Sequence, residues 1–184
     1  YSLWEEKARI GKEASKFVHE NDLIAINSGS TVMAFLDNIW NFENLTFVSQ
    51  DYVLAELISQ KKGFTSILAG GLVQKRITSI IGKNNIDIFE SFLFDACFLG
   101  VESLNPKDGI MMNKYALAYN SRVIIDRSKK VIILADSTKF RKNTGAVVAP
   151  FDSIDVLITD SGITKDNTLL KQISKFPNID FRIV

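Results

Sequence analysis

A cluster of small polar residues follows the first strongly apolar run of the chain. Residues 23–26 are apolar, and directly after them come Asn27, Ser28, Gly29, Ser30 and Thr31. A helical pattern begins immediately afterwards. Backbone N–H groups at the start of a helix, approached past a glycine and joined by Ser and Thr hydroxyls, bind phosphates and other anions. These residues therefore predict a phosphate site, although Ser30 or Thr31 is also a good N-cap for the helix that follows.

Further small polar residues follow the other apolar runs. They are, in chain order, Ser49, Gln50 and Asp51, then Gly70 and Gly71, then Gly100 and Glu102, then Asp136, Ser137 and Lys139, then Thr159 and Asp160. Singly, each is explained by a turn, a cap or a solvated surface position. Together, at the carboxyl ends of successive strands, they indicate a ligand site. Lys139 supplies a positive charge that would balance a phosphate.

Short apolar runs alternate with longer helical patterns along the chain. The runs that predict strands are residues 23–26, 45–48, 65–68, 94–99, 131–134, 156–158 and 181–184. Apolar residues at helical spacing occur in residues 3–18, 51–60, 116–125 and 165–173. Nearly continuous apolar strands are typical of sheets covered on both faces. We therefore predict an α/β fold, with an open, mostly parallel sheet and helices on both faces. Residues 72–91 give no clear pattern.

Composition and charge limit the possible classes of protein. The 184 residues are 46% hydrophobic and 23% charged, which suits a single domain over residues 1–184, or at most two small ones. The formal net charge is +1 without any block of like charge, so we expect no direct DNA contact by this chain. No apolar stretch approaches the roughly 20 residues of a membrane span, and we expect no membrane partner. The single cysteine, Cys97, lies in an apolar run, so we expect a buried thiol and no disulfide. We therefore expect a cytoplasmic protein.

Few residues suggest catalysis or metal binding. His19 is the only histidine and lies in a polar stretch, which argues against His-based catalysis and against a His-rich metal site. The carboxylates Asp95, Glu102, Asp136 and Asp160 include possible general bases, but each is as readily a turn or cap residue. We therefore assign no catalytic residue, no metal ligand and no cofactor.

Seven spaced segments form a recognisable ordered set. They are EKARIGKEASKFVHENDLIAINSGSTV, LTFVSQD, LAGG, SIIGK, FDACFLGVESL with DGI, VIILADSTKF and IDVLITDSGI. From about Glu5 to the end, their order and spacing resemble the C-terminal effector-sensing domain of DeoR-family bacterial transcriptional regulators. The resemblance implies a fold like that of ribose-phosphate isomerase and coenzyme A transferases. It also implies a phosphorylated sugar or related metabolite as the effector.

The same resemblance implies further parts of a regulator. In the family, a winged helix-turn-helix domain at the N-terminus binds operator DNA, and this chain contains no such domain. Because the first residue is Tyr1 and not Met, we expect a piece of a longer chain, cut at the linker. Regulators of this kind act on repeated or symmetric operators, so we also expect a homo-oligomer.

The resemblance assigns roles to individual residues. The family's phosphate loop corresponds to Ser28, Gly29, Ser30 and Thr31, and the loop after the second strand corresponds to Ser49 and Gln50. The glycine pair corresponds to Gly70 and Gly71, and the late basic contact corresponds to Lys139 beside Asp136. We expect Asn27, Ser49 and Gln50 to contact the hydroxylated part of the ligand, and Gly100 to lie beside it.

Three segments depart from the family pattern. Asn27 stands where the family usually has an aspartate, and Ser49-Gln50 stands where it usually has Thr-Asn. The family's Glu-Ala-x-x-Lys segment corresponds to Leu117, Ala118 and Ser121, so that its glutamate and lysine are both replaced. Losing a carboxylate that holds sugar hydroxyls and a lysine that balances phosphate should change ligand choice or weaken binding.

Two classes of function remain open at this point. A sensor domain would shift between conformations or assemblies when its effector binds. A sugar-phosphate isomerase on the same fold would need a carboxylate poised to remove a proton next to a carbonyl, with Asp95, Glu102 or Asp136 as the candidates. The segments between residues 94 and 140 match the sensor pattern better, which favours the sensor.

Overall fold

The computed structural model describes residues 3–75, 77–141 and 145–184. Its α-helices are α1 (Trp4–Ala14), α2 (Ser30–Leu36), α3 (Tyr52–Ser59), α4 (Lys83–Glu90), α5 (Tyr115–Asp126) and α6 (Asn167–Ile173). Its strands are β1 (Leu23–Ile26), β2 (Thr46–Ser49), β3 (Thr65–Leu68), β4 (Leu72–Val73), β5 (Ile80–Ile81), β6 (Ala96–Gly100), β7 (Ser103–Asn105), β8 (Gly109–Met112), β9 (Val131–Leu134), β10 (Ala146–Ala149), β11 (Val156–Thr159) and β12 (Asp180–Ile183). Short 3₁₀ helices lie at Ser15–Phe17, Ser137–Arg141, Phe151–Ser153 and Ser161–Lys165.

Seven strands form one parallel sheet, in the order β12-β11-β9-β6-β1-β2-β3. Every neighbouring pair in it runs parallel, so the predicted parallel sheet is confirmed. The chain begins in the middle of the sheet with β1, builds one side through β2 and β3, and then returns to build the other side from β6. The strand order therefore reverses between β1 and β6. Open parallel sheets bind ligands in the crevice beyond the carboxyl ends of their strands at such a reversal.

The central strands are covered on both faces. In β1, Ile24 and Ile26 belong to a core formed with α1, α2 and α3, whereas Ala25 belongs to a second core formed with α4, α5 and α6. Strand β6 alternates in the same way, because Phe98 joins the first core and Cys97 the second. Apolar residues that alternate between two buried faces produce the nearly continuous apolar runs of the sequence. The predicted helices on both faces are confirmed.

The outermost strands do not follow this pattern. Thr65 and Leu68 in β3 are exposed, as are Arg182 and Ile183 in β12. The expectation that every strand is covered on both faces is therefore wrong for the two edges. An edge strand has a neighbour on one side only, so the layers of helices cover it less completely.

Two smaller antiparallel sheets were not evident from the sequence. Strands β10, β8 and β7 form a three-stranded sheet, and β4 pairs with β5 in a hairpin. The hairpin and α4 occupy the region for which the sequence gave no clear pattern. The three-stranded sheet packs on the second core through Leu104, Ile110 and Val148. None of the helices in the described ranges is long and apolar enough to cross a bilayer.

Candidate ligand-binding site

A cavity of about 230 Å³ lies at the carboxyl edge of the large sheet, where the strand order reverses between β1 and β6. Loops after β1, β2, β6 and β9 contribute to it, together with the end of β8 and the first turn of α5. Its lining comprises Asn27, Ser28, Gly29, Ser30, Thr31, Gln50, Gly100, Val101, Glu102, Met112, Leu117 and Lys139. Eight of the twelve residues that were predicted from the sequence to bind the ligand therefore line this one cavity.

The loop after β1 leads into helix α2, and the first turn of α2 lines this cavity. Gly29 holds the N-cap position with a φ of 148°, in a region that favours glycine, and it has no side chain that could cap the helix. The alternative in which Ser30 or Thr31 is the N-cap is therefore wrong, since both residues lie within the first turn of α2. An uncapped first turn leaves backbone N–H groups available to a ligand.

Asn27 ties the ends of the two central strands together. Its Nδ2 donates to the Gly100 carbonyl at 2.8 Å, and the Gly100 N–H donates to its Oδ1 at 2.9 Å. Asn27 is 2% exposed, so this pair of bonds lies in the interior. The amide therefore fixes the floor of the cavity, and it also explains how Gly100 comes to lie at the site.

Hydrogen bonds connect the cavity loops to the hairpin segment. The Ser28 and Ser79 hydroxyls are 2.7 Å apart and hydrogen-bonded. Asp51 caps α3 by accepting from the Val53 and Leu54 N–H groups at 2.9 and 3.1 Å. Its other oxygen accepts from the Thr78 hydroxyl. The loops after β1 and β2 are thus both hydrogen-bonded to the same segment, at Ser79 and Thr78.

Glu102 and Lys139 are the two ionisable side chains of the lining. Glu102 accepts a hydrogen bond from the Asn113 N–H, which holds the carboxylate beside the end of β8. Lys139 follows β9 in a 3₁₀ helix, and its backbone N–H donates to the Asp136 carbonyl at 3.0 Å. Across the described ranges, the Lys139 ammonium makes no ion pair. The cavity therefore contains one cation and one carboxylate.

An apolar wall completes the cavity. It is formed by Val101, Met112 and Leu117, and the Ser121 hydroxyl donates to the Met112 sulfur at 3.4 Å behind it. Leu117 and Ser121 are the positions where the family's glutamate and lysine were expected. Sequence reasoning identified neither Val101 nor Met112. Met112 was missed because it lies on β8, a strand that the sequence pattern did not reveal.

Four of the predicted ligand residues lie outside the lining. Ser49 is buried, and its Oγ accepts from the Asp51 N–H at 3.0 Å. Gly70 and Gly71 lead into the hairpin, where a Cβ on Gly71 would lie 2.5 Å from the Ile81 carbonyl oxygen. Asp136 is buried and caps the turn after β9 by accepting from the Thr138 N–H at 3.1 Å. In the structure, these four residues shape the loops around the site.

The other ionisable candidates lie outside the cavity lining. Asp160 accepts from the Ser137 N–H at 2.6 Å and from the Gly162 N–H at 2.8 Å. Asp95 lies at the opposite, amino edge of the sheet, where the Leu23 N–H and the Lys129 ammonium lower its pKa. Burial raises the pKa of the Cys97 thiol to about 12, so it stays protonated. His19 is exposed.

The cavity has the chemistry of a site for a small anion carrying hydroxyl groups. The first turn of α2, the Ser and Thr hydroxyls and Lys139 supply donors, and Glu102 supplies an acceptor. Residues 3–75, 77–141 and 145–184 contain no group of three or more His, Cys, Asp or Glu side chains that could hold a metal ion.

The chain is similar to a known family of sensor domains and to bacterial transcriptional repressors. A profile of the family described as the DeoR C-terminal sensor domain matches residues 3–161. The glycerol-3-phosphate regulon repressor of Escherichia coli is 27% identical over 157 residues, covering 85% of this chain and 62% of the repressor. The transcriptional repressor GlcR of Bacillus subtilis is 30% identical over 156 residues, covering 85% of this chain and 60% of the relative. This chain thus spans less than two thirds of the length of either relative.

The fold is also found in solved structures. Ribose 5-phosphate isomerase A from Neisseria gonorrhoeae superimposes with a TM-score of 0.54 at 18% identity, over 76% of this chain and 54% of the isomerase. At this identity the likeness concerns the fold alone. It agrees with the isomerase-like architecture expected from the sequence.

Proposed function

Because this chain belongs to the family of DeoR C-terminal sensor domains, we propose that its cavity binds a phosphorylated sugar or a related phosphorylated metabolite. The observation that carries the proposal is the convergence of the uncapped start of α2 with Lys139 in one cavity at the strand-order reversal. Backbone N–H groups and an unpaired ammonium together suit a phosphate. Glu102 would accept hydrogen bonds from ligand hydroxyls. The name of the Escherichia coli relative, which refers to a glycerol-3-phosphate regulon, supports a ligand of this class.

The proposal extends to the longer protein. We propose that the effector controls binding of operator DNA by a winged helix-turn-helix domain outside this chain, in a cytoplasmic homo-oligomer. The described relatives are repressors, and this chain spans only part of their length. Effector binding alters DNA binding only if the effector has different affinities for the two states of the regulator.

The isomerase alternative is not retained. The family is a sensor family, and the named relatives are regulators. Of the three carboxylates considered as a catalytic base, Asp95 lies at the other edge of the sheet and Asp136 caps a turn. Of these three carboxylates, only Glu102 lines the cavity.

Two substitutions test the phosphate assignment. Lys139→Ala removes the ammonium and Ser30→Ala removes a hydroxyl from the first turn of α2. Hydrogen bonds to charged groups contribute about 1.5–3 kcal/mol, so we expect Lys139→Ala to weaken binding of a sugar phosphate by about 10-fold to 100-fold. Ser30→Ala should weaken it by about 5-fold. Isothermal titration of the purified chain measures both affinities.

The matched control is Lys171→Ala, which removes an exposed lysine from α6, away from the cavity. It should bind the ligand as the unsubstituted chain does. Circular dichroism should show all three variants folded. Unchanged affinity in both Lys139→Ala and Ser30→Ala contradicts the phosphate assignment.

A further inference from the structure

A second cavity shares a wall with the ligand cavity. It has a volume of about 310 Å³, and Gly29 and Ser30 line it as they line the first cavity. Its other walls come from α1, α2, α3 and the segments beside α3, and they are Trp4, Met33, Asp51, Val53, Leu54 and Thr78. We call this space the α1 groove. One short turn of the chain therefore belongs to both the ligand cavity and the α1 groove.

The walls of the α1 groove suit an apolar side chain. Trp4 and Val53 are 45% and 38% exposed, so both present apolar surface that an occupant could cover. Of the described lining, only Asp51 is ionisable, and its two oxygens already accept hydrogen bonds from the start of α3 and from the Thr78 hydroxyl. A phosphate would find no free charged partner among these residues. The gain from filling the groove is therefore burial of apolar surface.

The α1 groove lies at the point where α1 begins. Because the family is a C-terminal sensor domain, the DNA-binding domain proposed above precedes α1 in the longer regulator. More than a third of each described relative lies outside the matched region, which is enough chain for a small domain and a linker. Trp4 is both the first residue of α1 and a wall of the groove. The linker into α1 must therefore pass the groove.

Helix α1 is also in direct backbone contact with α2. A Cβ on Gly11 would lie 2.4 Å from the Ala34 carbonyl oxygen, so the two helices approach as closely as a glycine permits. Ile10 and Phe35, the neighbours of these two residues, belong to the same core. Close-packed interiors do not deform freely, so a shift of the first turn of α2 is transmitted to α1.

We propose that the α1 groove binds the linker through an apolar linker side chain, and that effector binding changes its affinity for the linker. A ligand that repositions Gly29 and Ser30 alters the ligand cavity and the groove together. Such coupling is reciprocal, so the docked linker changes the affinity for the effector by the same factor. The inference rests on the proposed function, because that function supplies both the effector and the longer regulator.

Docking is tested by protection of a cysteine placed in the groove. Val53→Cys introduces a thiol at a wall of the groove, and Val147→Cys, at a valine on β10 that is 47% exposed, is the matched control. Cys97 is the only native cysteine of this chain and is buried, so it contributes little to the reaction. The rate of reaction with a disulfide reagent is measured in this chain and in the full-length regulator, each relative to its parent without the new cysteine.

We expect Val53→Cys to react about 10-fold more slowly in the full-length regulator than in this chain, because a covered thiol reacts only when its cover opens. Val147→Cys should react at the same rate in both proteins. Equal rates for Val53→Cys in the two proteins overturn docking of the linker. Slow reaction already in this chain, relieved by dilution, means that a second copy covers the groove, and it overturns the assignment to the linker.

The coupling is tested with ribose 5-phosphate, glycerol 3-phosphate and glucose 6-phosphate, each at a concentration that saturates any shift in melting temperature. A compound that binds should change the reaction rate of Val53→Cys in the full-length regulator by about 5-fold or more and leave that of Val147→Cys unchanged. An unchanged rate for Val53→Cys overturns the coupling.

A second substitution tests the coupling in the reverse direction. Val53→Asp places a carboxylate in the groove and should release the linker. It should therefore change the affinity for the same compound in the full-length regulator but not in this chain, because Val53 does not line the ligand cavity. An equal effect in both proteins, or none in either, overturns the coupling.

These outcomes separate the inference from the proposed function. If none of the three compounds binds, the proposed function is contradicted and the coupling falls with it, while the cysteine rates still decide whether the linker docks. If a compound binds and Lys139→Ala impairs its binding, but Val53→Cys reacts equally in both proteins, the proposed function stands and only the inference is overturned.

Discussion

Asn27 makes a pair of hydrogen bonds that an aspartate at the same position does not make. Its NH₂ group donates to the Gly100 carbonyl while its oxygen accepts from the Gly100 N–H. An aspartate would retain the second bond and place a carboxylate oxygen against the carbonyl oxygen in the first. The departure from the expected aspartate therefore has a structural reason: the amide holds β1 and β6 together beneath the cavity.

Substitution of this residue tests that role. Asn27→Asp should lower the free energy of unfolding by about 1–3 kcal/mol, because a buried bond is lost and the Gly100 carbonyl stays unpaired. In a domain of this size, about 1 kcal/mol lowers the melting temperature by roughly 2–4 °C. Thermal denaturation at pH 7 measures the change. Asn41→Asp, at an exposed position, is the control, and equal melting of Asn27→Asp and the control contradicts the assigned role.

Sequence reasoning at the residue scale identified the loop after β1, Gln50, Gly100 and Lys139 as candidates, and the structure places all of them in the lining. Their positions could be predicted because the carboxyl ends of parallel strands share one edge. The structural roles of Ser49 and Asp136 could not, because a polar residue in a loop can turn inwards as a cap or outwards to a ligand. Their hydrogen-bond partners decide between the two.

At the scale of elements, continuous apolar runs identified the parallel strands and helical spacing identified most helices. Strands β7, β8 and β10 were missed because they are short and their pairing is not local. Strand β10 pairs with β8 across α5 and β9, and no turn between them marks the partnership. The apolar wall of the cavity was missed for the same reason, since Met112 ends β8. Helix α4 lay in a region where apolar and polar residues alternate irregularly.

Asp95 joins two elements at the amino edge of the sheet and makes stability depend on pH. Its Oδ2 accepts from the Leu23 N–H at 3.0 Å, at the start of β1, and its Oδ1 accepts from the Lys129 ammonium at 2.8 Å. The Leu23 bond and then Lys129 lower its pKa. A carboxyl with a pKa lower in the folded state stabilises the fold above its unfolded pKa of about 3.9, and this contribution disappears as the pH falls through the folded value.

Replacement of this carboxylate should remove the pH-dependent contribution. Asp95→Asn should lower the free energy of unfolding at pH 7 by about 1 kcal/mol, a small value because the side chain is more than a third exposed and screened by solvent. The difference from the unsubstituted chain should shrink as the pH falls towards about 3. Urea denaturation at several pH values measures it, with the exposed Asp152→Asn as control. A difference that grows in acid contradicts the assignment.

At the scale of the whole molecule, the cavity is assembled from distant parts of the chain. Residues after β1, β2, β6 and β9 meet residues of β8 and α5, and both cores support them. Unfolding disperses all of these groups, so a ligand of the cavity binds the folded domain and not the unfolded chain. Ligand binding must therefore stabilise the complete fold.

The most direct test of the central claim is the melting temperature of this chain with pairs of ligands. Ribose 5-phosphate is compared with ribose, glycerol 3-phosphate with glycerol, and glucose 6-phosphate with glucose. At about 100 times its dissociation constant, a ligand contributes about 2.7 kcal/mol, which corresponds to a rise of roughly 5–10 °C. We expect a phosphorylated compound to raise the melting temperature, its unphosphorylated parent to leave it unchanged, and Lys139→Ala to reduce the rise. Equal shifts for a phosphate and its parent, or no shift with any compound, contradict a phosphate-binding sensor.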